Sequence, residues 1–261
     1  MRISHFALVV ALLTTAGCAV QPAAPEVKPQ ADTTGSETDE RTRARVHTEL
    51  AAGYFELGNM SVALEEAIIA LRSDAGYGPA HNVAALVYGE LKEDRLAEQH
   101  FQQALSIDAL DSDANNNYGW FLCQRKREED GIKHFMAALR NPLYRNADRS
   151  YVNAGLCSRQ RGDLAGAEQY FMSALKVRPT QLQALYQMAD LAYARGDYPA
   201  ARVYLNRFTQ VAPAGAELLW LGVRIERRLG DYNSEASYAL QLRNKFPESK
   251  EARALLAGQY E

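Results

Sequence analysis

The chain has 261 residues and a formal net charge of −3, with 29 Lys and Arg against 32 Asp and Glu. That balance leaves no basic excess to hold a nucleic-acid backbone, so nucleic acid is excluded as a partner class. Apolar residues make up 47% of the chain and charged residues 23%, enough to bury a core. The Ala- and Leu-rich middle favours helices over strands.

At the N-terminus, Arg2 precedes an apolar run over residues 6–13. This is too short to span a bilayer, which takes about 20 residues, and residues 1–17 read as a cleaved export segment. Thr14, Thr15, Ala16 and Gly17 lead directly into Cys18, a pattern that resembles a bacterial lipobox. The resemblance implies a lipid attached to Cys18. Ala19, where an inner-membrane retention signal carries Asp, implies the outer membrane. Residues 18–43 hold three prolines and no aromatic side chain, so the sequence predicts a disordered tether.

From Ala44 a period of 34 residues emerges, with units starting near Ala44, Gly78, Ser112, Asp148, Leu182 and Ala216. Each unit holds two amphipathic segments. Gly58, Gly162, Gly196 and Gly230 end the first segment, and Asn59, Asp163, Asp197 and Asp231 cap the second. Lys92 and Lys126 stand at the glycine position in units two and three, so those turns must differ or bear strain of about 1 kcal/mol. Small residues keep register in the first segment (Ala51, Ala85, Gly119, Gly155, Ala189) and in the second (Ala63, Ala97, Gly131, Ala167, Ala201), where two helices touch. Phe101, Phe135 and Phe171 repeat one core position, and a loop around Pro142 lengthens one step by two residues.

The fourth unit, with Ala154, Gly155, Gly162, Ala167, Phe171, Ala174 and Pro179, resembles the tetratricopeptide repeat, and the resemblance covers about residues 44–249. It implies an all-α fold: a right-handed superhelical solenoid of six helix hairpins, closed by a capping helix over residues 250–261. It also implies a concave face lined by the first helices, where peptides bind. Carried over by repeat position, the groove residues are Thr48, Ala52, Phe55, Asn82, Leu86, Asn116 and Trp120. The asparagines would hold a peptide backbone, and the apolar residues would anchor side chains.

No Gly-rich phosphate loop, metalloprotease helix or nucleophile motif occurs, which argues against an enzyme and against a cofactor. His47 and His81 share one repeat position and His100 and His134 another, but paired imidazoles make only half a zinc site, so no metal is expected. Arg224, Arg227 and Arg228 form either a solvated basic face or an anchor for an acidic peptide. Cys123 and Cys157 lie on adjacent first helices, offset by two residues from the repeat register, or about 3 Å of rise. Neighbouring helices just bring such a pair within the ~7 Å that a disulfide needs. An oxidising compartment favours the bridge; two buried thiols are the alternative.

The run from Asn115 to Cys123, the stretch Asn153 to Cys157, Met188 to Leu191, and Leu219 to Gly222 with Arg224 together resemble the PilF/PilW pilotin family of type IV pilus biogenesis lipoproteins. The resemblance implies a lipid-anchored, periplasm-facing protein that brings the type IV pilus secretin to the outer membrane and promotes its multimerisation. The alternative is a general periplasmic scaffold for envelope enzymes or outer-membrane protein assembly.

Overall fold

A computed structural model describes residues 38–260. The export segment, Cys18 and the tether as far as residue 37 lie outside the described residues. Among the described residues all regular structure is helical. Six hairpins follow one another: α1 (Asp39–Glu56) with α2 (Met60–Ser73), α3 (Gly78–Glu90) with α4 (Asp94–Ile107), α5 (Ser112–Gln124) with α6 (Glu128–Ala138), α7 (Ala147–Gln160) with α8 (Leu164–Val177), α9 (Leu182–Ala194) with α10 (Tyr198–Val211), and α11 (Ala216–Leu229) with α12 (Tyr232–Lys245). A short helix, α13 (Lys250–Leu256), packs on α11 and α12.

The tether boundary expected at residue 43 is corrected, because α1 already begins at Asp39. Thr38 caps it by accepting from the Arg41 amide at 3.2 Å. Asp39 and Glu40 in the first turn suit the positive end of the helix dipole. Arg41 then ties the helix to Asp74 at 2.5 Å. The charged start of the helix carries no apolar stripe and so looks like linker.

First helices touch one another along the array, α1 on α3, α3 on α5, α5 on α7 and α9 on α11, whereas second helices touch neighbouring hairpins only through first helices. The layer whose members touch lies on the inside of the curve, so the inner face belongs to the first helices. Close packing within each hairpin comes from the small residues in register. A Cβ on Gly119 would stand 2.8 Å from the Gly131 carbonyl oxygen, and one on Gly155 would stand 2.5 Å from the Phe171 ring. Phe101, Phe135 and Phe171 are fully buried, as core residues must be.

All six turns share one geometry. Gly58, Gly162, Gly196 and Gly230 have φ of 75°, 86°, 84° and 73°, and Lys92 and Lys126 adopt the same left-handed conformation at 64° and 59°. The closing backbone bonds are the same too: Asn59 to Tyr54 and Glu93 to Tyr88 at 2.9 Å, Arg127 to Leu122 at 3.0 Å. Turns two and three therefore keep the geometry and bear the strain. They also lack the side-chain cap that Asn59, Asp163, Asp197 and Asp231 provide. Lys92→Gly is expected to stabilise the chain by about 1 kcal/mol and raise Tm by about 2–4 °C. A thermal melt with an unchanged or lower midpoint would contradict this.

Candidate protein-binding groove

One repeat position on the inner face reads Ala52, Leu86, Trp120, Leu156, Asp190 and Arg224, and all six side chains are only half-buried. Its first four members are apolar and its last two charged, so the floor of the groove changes character along the array. Ala52 and Phe55 flank the α1–α3 core, Leu86 the next core and Trp120 the one around Phe135. These four expected groove residues stand where a partner can reach them. Leu156 belongs to the same row, and its repeat position alone identifies it.

The other three expected groove residues are corrected. Thr48, Asn82 and Asn116 are buried, at 6%, 8% and 4% exposure; the two asparagines serve the array's own seams, and Thr48 bonds within its own helix. The Thr48 hydroxyl donates to the Ala44 carbonyl at 2.7 Å. The Asn117 amide donates to Asn82 Oδ1 at 3.2 Å. Asn116 Oδ1 accepts from the Ser150 hydroxyl at 2.9 Å and from the Asn153 amide at 3.1 Å. The asparagine bonds form a polar ladder from α3 through α5 to α7. Buried amides left unpaired would cost about 1–3 kcal/mol each, so the ladder fixes how successive first helices align. Farther along, Arg159 of α7 reaches Gln187 and Asp190 of α9.

The histidines pair within hairpins, not between equal repeat positions. His47 Nδ1 meets Glu66 at 2.5 Å, His81 Nδ1 meets His100 Nδ1 at 2.9 Å, and His134 Nδ1 meets Asn115 at 3.0 Å. Each contact spans 19 residues, first helix to second. No group of three potential metal ligands occurs among the described residues. His81 Nε2 donates to the Ala75 carbonyl at 3.1 Å, so its Nδ1 accepts and His100 Nδ1 donates.

A second proton would set two N–H groups against each other. Burial, and for His100 also the neighbouring His81, holds both rings below the ordinary histidine pKa, and burial does the same for His134. Such rings bind protons more readily in the unfolded chain. Stability is therefore complete above the unfolded pKa of about 6.5 and falls as pH drops through it toward the folded values. The urea midpoint is expected to be lower near about pH 5.5 than near about pH 7.5, with His81→Gln/His134→Gln narrowing the gap. Equal midpoints would contradict this.

Cys123 and Cys157 are fully buried, with Cα atoms 5.8 Å apart, and the structure pairs their sulfurs. Arg224 lies against aromatic rings at the far end of the inner face, with Arg227 and Arg228 beside it.

Tandem helix hairpins, close-packed through small residues and presenting first helices on one face, define a tetratricopeptide-repeat solenoid, and the tetratricopeptide repeat model matches residues 158–219. The type IV pilus assembly protein PilF of Pseudomonas aeruginosa is 34% identical over 212 residues, spanning 81% of this chain and 84% of PilF. The solved structure of Pseudomonas aeruginosa PilF superposes with a TM-score of 0.76 at 32% identity, over 85% of this chain and 100% of that one. PilW, a widely conserved type IV pilus biogenesis factor, superposes at 0.73 with 32% identity, over 82% of this chain and 98% of its own. The chain belongs to this PilF/PilW family of type IV pilus biogenesis proteins.

Proposed function

We propose that the chain is a pilotin: a non-enzymatic lipoprotein, held at the outer membrane by a lipid on Cys18, that binds the type IV pilus secretin and promotes its localisation and multimerisation there. The observation that carries this reading is the half-exposed apolar row Ala52, Leu86, Trp120 and Leu156 on the inner face of a member of this family. Apolar side chains left open to water on a rigid scaffold gain free energy when a partner covers them. A large aromatic such as Trp120 is the usual centre of such contacts. Anchoring the scaffold turns binding into a high local concentration of secretin subunits at the membrane, with no covalent step. In the oxidising periplasm the Cys123–Cys157 bridge forms and keeps hairpins three and four aligned under the groove.

Co-purification tests the reading. Trp120→Ala is expected to weaken secretin binding by about 2 kcal/mol, roughly thirtyfold, while the fold is kept. Cys18→Ala is expected to bind secretin but to fractionate away from the outer membrane. Normal secretin multimers on an unheated gel from cells lacking the chain would overturn the proposal in favour of the general scaffold.

A further inference from the structure

From α3 to α11, each first helix is covered on one side by the second helix of the hairpin before it. In α5 the covered positions are Ala114, Tyr118 and Phe121, all buried, and their counterparts in α3, α7, α9 and α11 are buried too. In α1 the same repeat positions hold Val46, Leu50 and Gly53. Val46 and Leu50 are each 43% exposed, Gly53 is exposed, and Leu57 one turn on is 80% exposed. α1 packs on α2 and α3 with its other side. The face by which every later hairpin joins its neighbour is therefore open on the first.

The opposite end of the array is closed. α13 starts one repeat after Ala216, so it takes the place of a seventh first helix and packs on α12. Its Ala252 is buried like Ala114. A second copy thus finds no matching open end for a head-to-tail contact, and a two-fold contact of α1 with α1 remains.

The open face fits such a contact. Val46, Leu50, Gly53 and Leu57 follow at steps of four, three and four residues, so they share one side of the helix. The steps read the same backwards. Two antiparallel α1 helices therefore set Val46 of each copy against Leu57 of the other, and Leu50 against Gly53. Each leucine enters the notch that a glycine leaves, and nothing stands within 4 Å of where a Gly53 Cβ would lie. On the flank of the stripe, Arg45 of each copy falls beside Glu56 of the other, whereas a parallel pair would set Arg45 beside Arg45. Residues 19–37, which lead into α1, hold only Val20 and Val27 as large apolar side chains, with Pro22 and Pro25 between them. That sequence does not make an apolar helix face.

We propose that the outer face of α1 is the interface of a two-fold dimer of this chain. Arg45, Ala52 and Glu56 share one edge of α1, so the inner faces of both copies open on the same side of the dimer. The interface does not use the apolar row on which the pilotin reading rests, so either can fail without the other.

The first test uses cells that express two full-length copies with different tags, one carrying Val46→Cys and one Leu57→Cys, treated with a short bismaleimide. A linked band carrying both tags is expected. A copy with Val203→Cys, exposed on α10, replaces the Leu57→Cys copy as the control and is expected to give no such band. The second test is Gly53→Gln. Within one copy the new side chain meets open space, and glutamine suits a helix better than glycine, so the thermal midpoint is expected to hold or rise. The same side chain fills the notch for Leu50, so the dimer dissociation constant of the full chain in sedimentation equilibrium is expected to rise at least about tenfold.

A chain that sediments as a monomer at every concentration would overturn the proposal, as would equal bands in the test and control pairs. A band between two Val46→Cys copies that outweighs the Val46–Leu57 band would mark a parallel contact and overturn the two-fold arrangement. Links from Val46→Cys to a different protein, with none between copies, would overturn the dimer and give the face to a partner helix.

Discussion

Phe135→Ala is expected to destabilise the array by about 4 kcal/mol, read as a shift of the urea transition. Phe135 is fully buried on α6 and packs with Cys123, Ala154 and Cys157. Its ring also fills the place where Gly119 has no side chain. Glycine on one side and a cystine on the other leave nothing that can move into the void, so the cavity stays open and the loss falls at the upper end for Phe→Ala. The site also lies in mid-array. In a solenoid each unit is stabilised by its neighbours, so weakening hairpin three uncouples the two halves. Amide exchange is expected to show α1–α4 and α7–α12 opening separately in this variant. A loss under about 1 kcal/mol would mean that the core collapses into the space.

Cys157→Ala is expected to cost about 3–4 kcal/mol in the oxidised protein and only the loss of a small cavity under reducing conditions. The bridge closes a sequence separation of 34 residues, which removes much of the freedom of the unfolded chain. Non-reducing peptide mass mapping gives the prior check: the peptides carrying Cys123 and Cys157 should run as one species. Two separate thiol peptides from the exported protein would remove the bridge and reduce the expected loss to that of a small cavity. Because Cys157 and Phe135 share one core, their losses should not add, and the double variant measures the coupling.

The hairpin plan was legible in the sequence because it is written in backbone chemistry. Glycine before Asn or Asp at a 34-residue spacing marks each turn, and alanine or glycine marks each helix contact. What escaped was the rotation of the first helices. Thr48, Asn82 and Asn116 precede Ala52, Leu86 and Trp120 by four residues, which on an α-helix is a turn of only about 40°. That angle separates a seam from an open groove, and polarity does not reveal it: the asparagines look like ligand-binding groups but bond to one another.

The pairing of the histidines was not legible for a related reason. Equal repeat positions suggest equal surroundings, yet each of these imidazoles pairs with the other helix of its own hairpin. The half-exposed arginines on α11 were visible as a cluster, but the rings of Tyr193 and Tyr260 that shape a cavity around them come from other parts of the chain.

The link from α5 to α7 also decides how the molecule would carry load. Under the proposed anchoring through Cys18 and binding along the inner face, the chain would be pulled between those two points, and tension would enter through α1. Hairpins one and two are held only by non-covalent contacts, among them Arg125 on Asp94 and Arg127 on Glu98, and can peel away in turn. At Cys123 the peeling stops, because force passes across the bridge to Cys157 and bypasses α6 and most of α7. The bypassed loop, about 110–120 Å of chain if fully drawn out, never lengthens. The bridge is thus a mechanical stop: whatever yields ahead of it, the chain between Cys123 and Cys157 does not.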